Sequence, residues 1–223
     1  MGTDNQFHKR RERKARDLGR KRAKRKPYAR VLIVCEGEKT EPNYLKDRRD
    51  HYRLSSTNIE IAKGVKGCDP LTIANHAKGL YDRDPDFDRV FCVFDRDMHT
   101  NFGGALAAIH SFARRKRRPI PIEGIVSWPC FEYWLLLHFQ FTTRPFRHCS
   151  DVITLLKKHL PKYSKGSNNM FDQTKDRLPT AIEHAKRAQR HYGSKAPKNP
   201  STKVHEMIEY LIMLRSPEVT SLE

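Results

Sequence analysis

Between residues 30 and 141, short apolar runs alternate with stretches whose apolar residues recur every three or four positions. The run VLIVC is apolar and partly β-branched, and predicts a buried strand. TEPNYLKDRRDHY follows, with Thr40 as a candidate N-cap and Pro42 near the first turn, which predicts a helix. NIEIAKG reads as a second strand. DPLTIANHAKGLYDR predicts a helix with Asp69 as N-cap, Pro70 at the first helical position, and Leu71, Ala74, Ala77 and Leu80 on one face. FDRVFCVFDRD holds a third buried strand over residues 90–94 and ends in an acidic loop. FGGALAAIHSFARRKRR predicts a helix with Leu106, Ile109 and Phe112 inside, PIPIEGIVSWP a fourth strand, and CFEYWLLLHFQF a compact apolar helix. Alternation at this spacing predicts βαβ units on a parallel sheet, with right-handed crossovers that place helices on both faces. In such sheets functional groups gather at the carboxyl ends of the strands.

Past Thr142 the pattern is helical. CSDVITLLKKHL and PTAIEHAKRAQRHY carry helical periods, separated by the loop KYSKGSNNMFDQ. NPSTKVHEMIEYLIML reads as a last helix, capped by Ser201 with Asn199 beside it. There is no internal repeat. Before Arg30, HKRRERKARDLGRKRAKRKP has almost no apolar residues and cannot bury enough surface to offset ordering entropy. It is expected to be disordered or transiently helical, ending at Pro27. The expected organisation is a basic arm over 1–29, an α/β domain over 30–141 and a helical extension over 142–223.

Charge adds a partner class. The chain of 223 residues has a formal net charge of +18. Residues 1–30 hold 13 Lys/Arg and 3 acids, hence +10; the remaining 193 hold 31 and 23, hence +8. A chain that is basic in arm and body attracts a polyanion, and nucleic acid is the obvious one, since each neutralised phosphate releases counterions. The plainer reading is a solvated tail. Candidate phosphate contacts are Arg20, Lys21, Arg22, Lys24 and Arg25 in the arm, and Lys39, Lys162 and Lys165 in the body, the last two with Ser167 in a basic loop. The most apolar stretch, residues 131–141, is too short and polar to span a bilayer, and the first residues have no apolar signal core. A cytoplasmic location is expected. The five cysteines (Cys35, Cys68, Cys92, Cys130 and Cys149) form no CxxC pair, and are expected to be reduced buried thiols rather than a disulfide set or a zinc site.

The chemistry concentrates at strand ends. The first strand runs straight into Glu36-Gly37, and the third into Asp95-Arg96-Asp97. Asp95 and Asp97 are one residue apart and share a side in extended geometry. Neighbouring strands lie under ~5 Å apart, so Glu36 can face the pair. Three such carboxylates cannot all stay ionised without a cation. Oxygen-only ligands suit Mg²⁺ or Mn²⁺, which activates water and polarises phosphoryl oxygens. Gly37 would let backbone approach a phosphate. Taken singly, each acid is more often a cap or an ion-pair partner.

Glu132, among the apolar residues of its helix, needs a partner or a metal. It reads as a fourth acid, the alternative being a buried pair with an arginine. Glu38 and Glu41 open the first helix, where acids favour the dipole, and Glu41 is a weaker candidate for the metal. His99 reads as an exposed loop residue, with acid–base work as the lesser alternative. His138 reads as a satisfied core histidine.

LIVCEGEKTE and VFDRD resemble the two motifs of Toprim domains, which occur in topoisomerases, bacterial primases and overcoming-lysogenization-defect nucleases. The resemblance implies that Glu36, Asp95 and Asp97 hold Mg²⁺ for phosphodiester chemistry. CEGEKTEPNYL, VFDRD, SWPCFEYWLLLHF and NPSTKVHEMIEYL together resemble the RloB-like family, Toprim-related proteins associated with phage defence, over roughly residues 30–214. Trp128 stands where that family more often has Asn. The family implies a Toprim-like fold, an RNA-cutting effector with a transfer-RNA target, and an ABC-type ATPase partner. A non-catalytic module binding nucleic acid or the ATPase is the rival class. A topoisomerase or primase is disfavoured, because no nucleophilic-tyrosine domain or zinc module is apparent.

Overall fold

A computed structural model describes residues 29–54, 56, 58–63, 69–96, 101–115, 117, 119–193 and 198–214. The arm residues Arg20, Lys21, Arg22, Lys24 and Arg25, and also Cys68, Asp97 and His99, lie outside the described residues.

Five strands form one sheet in the order β2-β1-β3-β4-β5: β1 (Val31–Cys35), β2 (Ile59–Lys63), β3 (Arg89–Asp95), β4 (Ile122–Trp128) and β5 (Ser201–Thr202). The first four pair in parallel. β5 comes from the C-terminal portion and pairs antiparallel with the end of β4, Ser127 opposite Thr202 and Trp128 opposite Ser201. The expected α/β architecture with a helix-flanked parallel sheet is what forms, with this one antiparallel edge added.

Strand alternation explains the continuous apolar runs. Val31, Ile33 and Cys35 of β1, with Phe91 and Val93 of β3 and Ile125 of β4, enter one core. Leu32 and Val34, with Val90, Cys92 and Phe94, enter the other. Both faces are covered, so neither set of positions can be polar.

The second core is closed by α2 (Pro70–Arg83) and α3 (Phe102–Ala113). The first is closed by α1 (Thr40–His51), α4 (Glu132–Leu137), α5 (Cys149–His159), α6 (Met170–Thr174), α7 (Leu178–Tyr192) and α8 (Val204–Met213). The helices of the C-terminal portion therefore share a core with the sheet.

Asp69 caps α2 as expected, accepting from the Leu71 and Thr72 N–H groups at 2.9 and 3.3 Å. Two other caps fall elsewhere. Thr40 is the first residue of α1 and not its cap; its hydroxyl accepts the Gly166 N–H at 3.0 Å. Ser201 belongs to β5 and does not cap α8, which begins at Val204. The Asn199 side chain bridges both backbone groups of Phe146. In each case a long-range partner outcompeted the local cap.

The expectation of five reduced thiols is corrected in part. Cys35 and Cys92 are free and buried, as the strand positions required. Cys130 and Cys149 form a disulfide, with Cα atoms 5.7 Å apart. Cys130 precedes α4 and Cys149 opens α5, and the chain between them doubles back to bring the two helix starts together. Their separation of 19 residues carries no local signal of this contact.

The pairing predicts a labelling result. Iodoacetamide applied to protein unfolded without reductant should modify Cys35 and Cys92 and spare Cys130 and Cys149, as read by peptide mass. Alkylation of all of them would contradict the bond.

Candidate active site

Glu36 leaves the end of β1, and its N–H continues the parallel ladder to the Val93 carbonyl at 2.8 Å. This places it beside the end of β3. Its Oε2 accepts the Asp95 N–H at 2.9 Å. The facing of the first and third strand ends expected from the sequence is thus present for Glu36 and Asp95. Asp97 follows two residues on, outside the described residues.

Two further carboxylates join them. Glu41, in the first turn of α1, is 7% exposed, and Glu132, the first residue of α4, is 2% exposed. Burial, and then the carboxylates of Glu41, Glu132 and Glu36, hold the Asp95 carboxyl well above the usual range, against the opposing charge of Lys165. Glu41 is pushed up to about 7, by burial first and then by Glu132 and Glu36, while a backbone hydrogen bond and Lys165 pull the other way. Crowded carboxylates shift in this direction when no cation compensates them.

Gly37 has a steric reason here that the sequence did not show. A Cβ on it would collide with the Glu41 carboxylate, standing 2.7 Å from Glu41 Cδ. The glycine makes room for Glu41.

Among the described residues, Glu132 pairs with no arginine. Its Oε1 accepts from the Tyr163 hydroxyl at 2.9 Å, and Cys149 Sγ lies 3.2 Å from its Oε2. A disulfide sulfur carries no hydrogen, so the second contact is packing in this state. Tyr163 is itself buried, its hydroxyl made harder to ionise by burial and by the adjacent Glu132.

The loop around Tyr163 also carries the expected basic residues. Lys165 is exposed, and its charge partly offsets the upward shifts of Glu41 and Asp95. Lys39 is exposed at the entrance to α1, with its methylenes against Gly166, where a Cβ would stand 2.9 Å from Lys39 Cδ. Gly166 has φ of +80°, the left-handed region that glycine enters freely. Lys162 is exposed on the same loop. Ser167 accepts the Ser164 N–H, a turn within the loop.

His138 is wholly buried, with Nδ1 on the Trp134 carbonyl at 3.0 Å, and burial lowers its pKa to about 4. It is a neutral core residue, as expected, although its Nε2 lacks a hydrogen-bond partner. Glu38 is exposed just ahead of α1.

Carboxylate oxygens suit Mg²⁺ or Mn²⁺, but among the described residues the three side chains whose ligand atoms lie within 4.8 Å of one another are Cys130, Glu132 and Cys149, and Glu36, Glu41 and Asp95 do not close to that spacing without Asp97. The one sulfur-containing group nearby, Cys130 and Cys149 with Glu132, has its sulfurs tied to each other, and so offers no thiolate to a softer metal.

The sequence model of the RloB-like protein family matches residues 31–211. This chain belongs to the RloB-like family. The match covers most of the chain and every described residue of the cluster. No curated protein and no solved structure matches the chain. No helix among the described residues of this RloB-like protein is long and apolar enough to cross a membrane.

Of the acids named from the sequence, the structure sets Glu36 beside Asp95, and the charges of Glu132 and Glu41 act on Asp95 as well; Glu41 carried less weight in the sequence, and Tyr163, which contacts Glu132, was not singled out. An acid in a first helical turn has a ready explanation in the helix dipole, and that explanation hid Glu41.

Two outcomes test this geometry. Gly37→Ala should leave the fold intact, because the obstructing atoms end a flexible side chain, yet weaken Mn²⁺ binding by displacing Glu41. Calorimetric titration reads the affinity; unchanged affinity would contradict the packing. Glu41, with a folded value near 7 against 4.5 ordinarily, favours the fold when protonated. Its contribution is complete below about pH 4.5 and is lost as pH rises through about 7. Metal-free protein should therefore lose about 2 kcal/mol from pH 5 to 7.5 in denaturant titrations. Glu41→Gln should flatten that slope.

Proposed function

We propose that this RloB-like protein is a metal-dependent phosphodiester hydrolase that cuts nucleic acid, RNA with a transfer-RNA-like target, as an effector of defence against phage. The observation that carries the reading is the convergence of Glu36, Glu41, Asp95 and Glu132 at the carboxyl end of a parallel sheet. An acidic cluster by itself repels a phosphodiester, so productive binding needs a cation between them. The resemblance of the strand-end motifs to Toprim domains supports the same chemistry.

Glu36, Asp95 and Asp97 would hold Mg²⁺ or Mn²⁺. When bound, such an ion polarises a phosphoryl oxygen and lowers the pKa of a coordinated water. Glu132 is the fourth acid, a proton acceptor whose charge also acts on Asp95 and Glu41 and would favour the ion beside them, with an orientation set by its contacts. Lys165 and Lys39 stand on the rim, where they meet substrate phosphates. The basic arm, with Arg20, Lys21, Arg22, Lys24 and Arg25, adds contacts that are independent of base sequence. The protein works in the cytoplasm with an ABC-type ATPase partner.

The rival is a binding module whose acids are structural, and a cleavage assay separates the two. With Mg²⁺ and total transfer RNA, the unmodified protein should produce discrete fragments. Asp95→Asn should reduce cleavage by at least ~100-fold, as expected for loss of a group that acts on the reacting phosphate. Activity that survives Asp95→Asn and Glu36→Gln together would end the hydrolase reading. Deleting residues 1–26 should weaken RNA binding and flatten the dependence of log affinity on log salt. An unchanged slope would remove the arm from the interface.

A further inference from the structure

We propose that Tyr163 is a positioning residue for Glu132, and that the loop over residues 161–168 is thereby an integral part of the site. The inference rests on the hydrolase reading above, but its evidence is independent of the strand-end motifs.

Tyr163 lies between α5 and α6, 31 residues from Glu132 in sequence. Its side chain is 3% exposed, and its hydroxyl donates to Glu132 Oε1 at 2.9 Å. A buried carboxylate strongly requires a donor, because the charge otherwise lacks solvation. The other oxygen of Glu132 faces Cys149 Sγ, which has no hydrogen to give while it is bonded to Cys130. The phenol is therefore the group that fixes which way Glu132 points.

The loop is itself tied to the site. The Gly166 N–H donates to Thr40 Oγ1 at 3.0 Å, and Asn43 Nδ2 donates to Asn168 Oδ1 at 2.9 Å. Both anchors lie in α1, whose first turn supplies Glu41. Lys165 sits between the Tyr163 contact and the Gly166 contact, so the loop that orients one acid also delivers a cation that partly offsets the shifts of Glu41 and Asp95. Outer-shell partners of this kind orient the groups that hold a metal, and their loss commonly costs ~10–100-fold in metal affinity or activity.

The test is a double-mutant cycle on the full-length chain. Tyr163→Phe removes only the hydroxyl. Mn²⁺ affinity measured by calorimetry should weaken ~10–100-fold, and kcat on RNA should fall in the same range with KM within about twofold. In a Glu132→Gln background, Tyr163→Phe should cost little more, because its effect runs through the carboxylate. A Tyr163 that merely supports packing would lower stability equally in both backgrounds and leave Mn²⁺ affinity and kcat alone; that pattern overturns the proposal. So does an equal loss of affinity in the two backgrounds. If Tyr163→Phe does not fold, Glu132→Gln alone must show the same weakening of Mn²⁺ binding, and unaltered binding rejects the proposal. Failure of the unmodified chain to bind Mn²⁺ rejects the metal reading and this proposal together. Mn²⁺ binding without any RNA cleavage rejects the hydrolase reading and leaves the Tyr163 arm to be decided by affinity.

Discussion

Mutual repulsion among carboxylates crowded at the strand ends, Glu41 and Glu132 buried and Glu36 and Asp95 half-buried, is the constraint on which the geometry of the candidate site turns. Two unit charges ~4 Å apart repel by about 4 kcal/mol at the effective dielectric of a protein surface. Asp95 and Glu41 respond by holding protons far more tightly than isolated carboxyls do. A fold gains nothing in stability from such an arrangement, and strain of this kind persists where the surrounding structure over-determines it. Here the overdetermination is visible. Glu36 is fixed by the β1–β3 ladder and by its bond to the Asp95 N–H, Glu41 by the space left at Gly37, and Glu132 by Tyr163.

The site is built from two portions of the chain that are distant in sequence. The sheet brings Glu36 and Asp95 together at its carboxyl edge, and α1 adds Glu41. The portion beyond Phe141 supplies Tyr163, Lys165 and the disulfide partner of Cys130. The same portion adds β5 to the sheet, where the buried hydroxyls of Ser127 and Thr202 pair at 2.9 Å. Because α4 through α8 share one core with β1 and β3, displacement of these helices cannot leave the acids undisturbed. The charge follows the same division: residues 31–141 hold 16 Lys/Arg and 15 acids, whereas 142–214 hold 14 and 6. The segment that carries the sheet is nearly neutral overall, and the excess positive charge lies largely in the helical portion packed beside it.

The parts legible from the sequence were those set by local pattern. VLIVC and VFCVF are apolar at every position because both sheet faces are covered, and Glu36 and Asp95 stand out as acids at the ends of such runs. The parts that were not legible depend on contacts between distant segments. Thr40 has the chemistry of an N-cap, but its hydroxyl serves Gly166, 126 residues away. Ser201 has it too, but β4 recruits it into the sheet. Cys130 and Cys149 meet because two helix starts converge, and Tyr163 looks like any loop tyrosine until Glu132 is placed against it. Long-range geometry supplied the reason in each case.

The central claim is that these oxygens are gathered to hold a divalent ion, and anomalous diffraction from crystals soaked in Mn²⁺ tests it most directly. The account predicts a strong anomalous peak bounded by the carboxylates of Glu36 and Asp95, with metal–oxygen distances near ~2.1 Å. A structure at millimolar Mn²⁺ with no peak among these carboxylates, or with the metal bound only elsewhere, would contradict it.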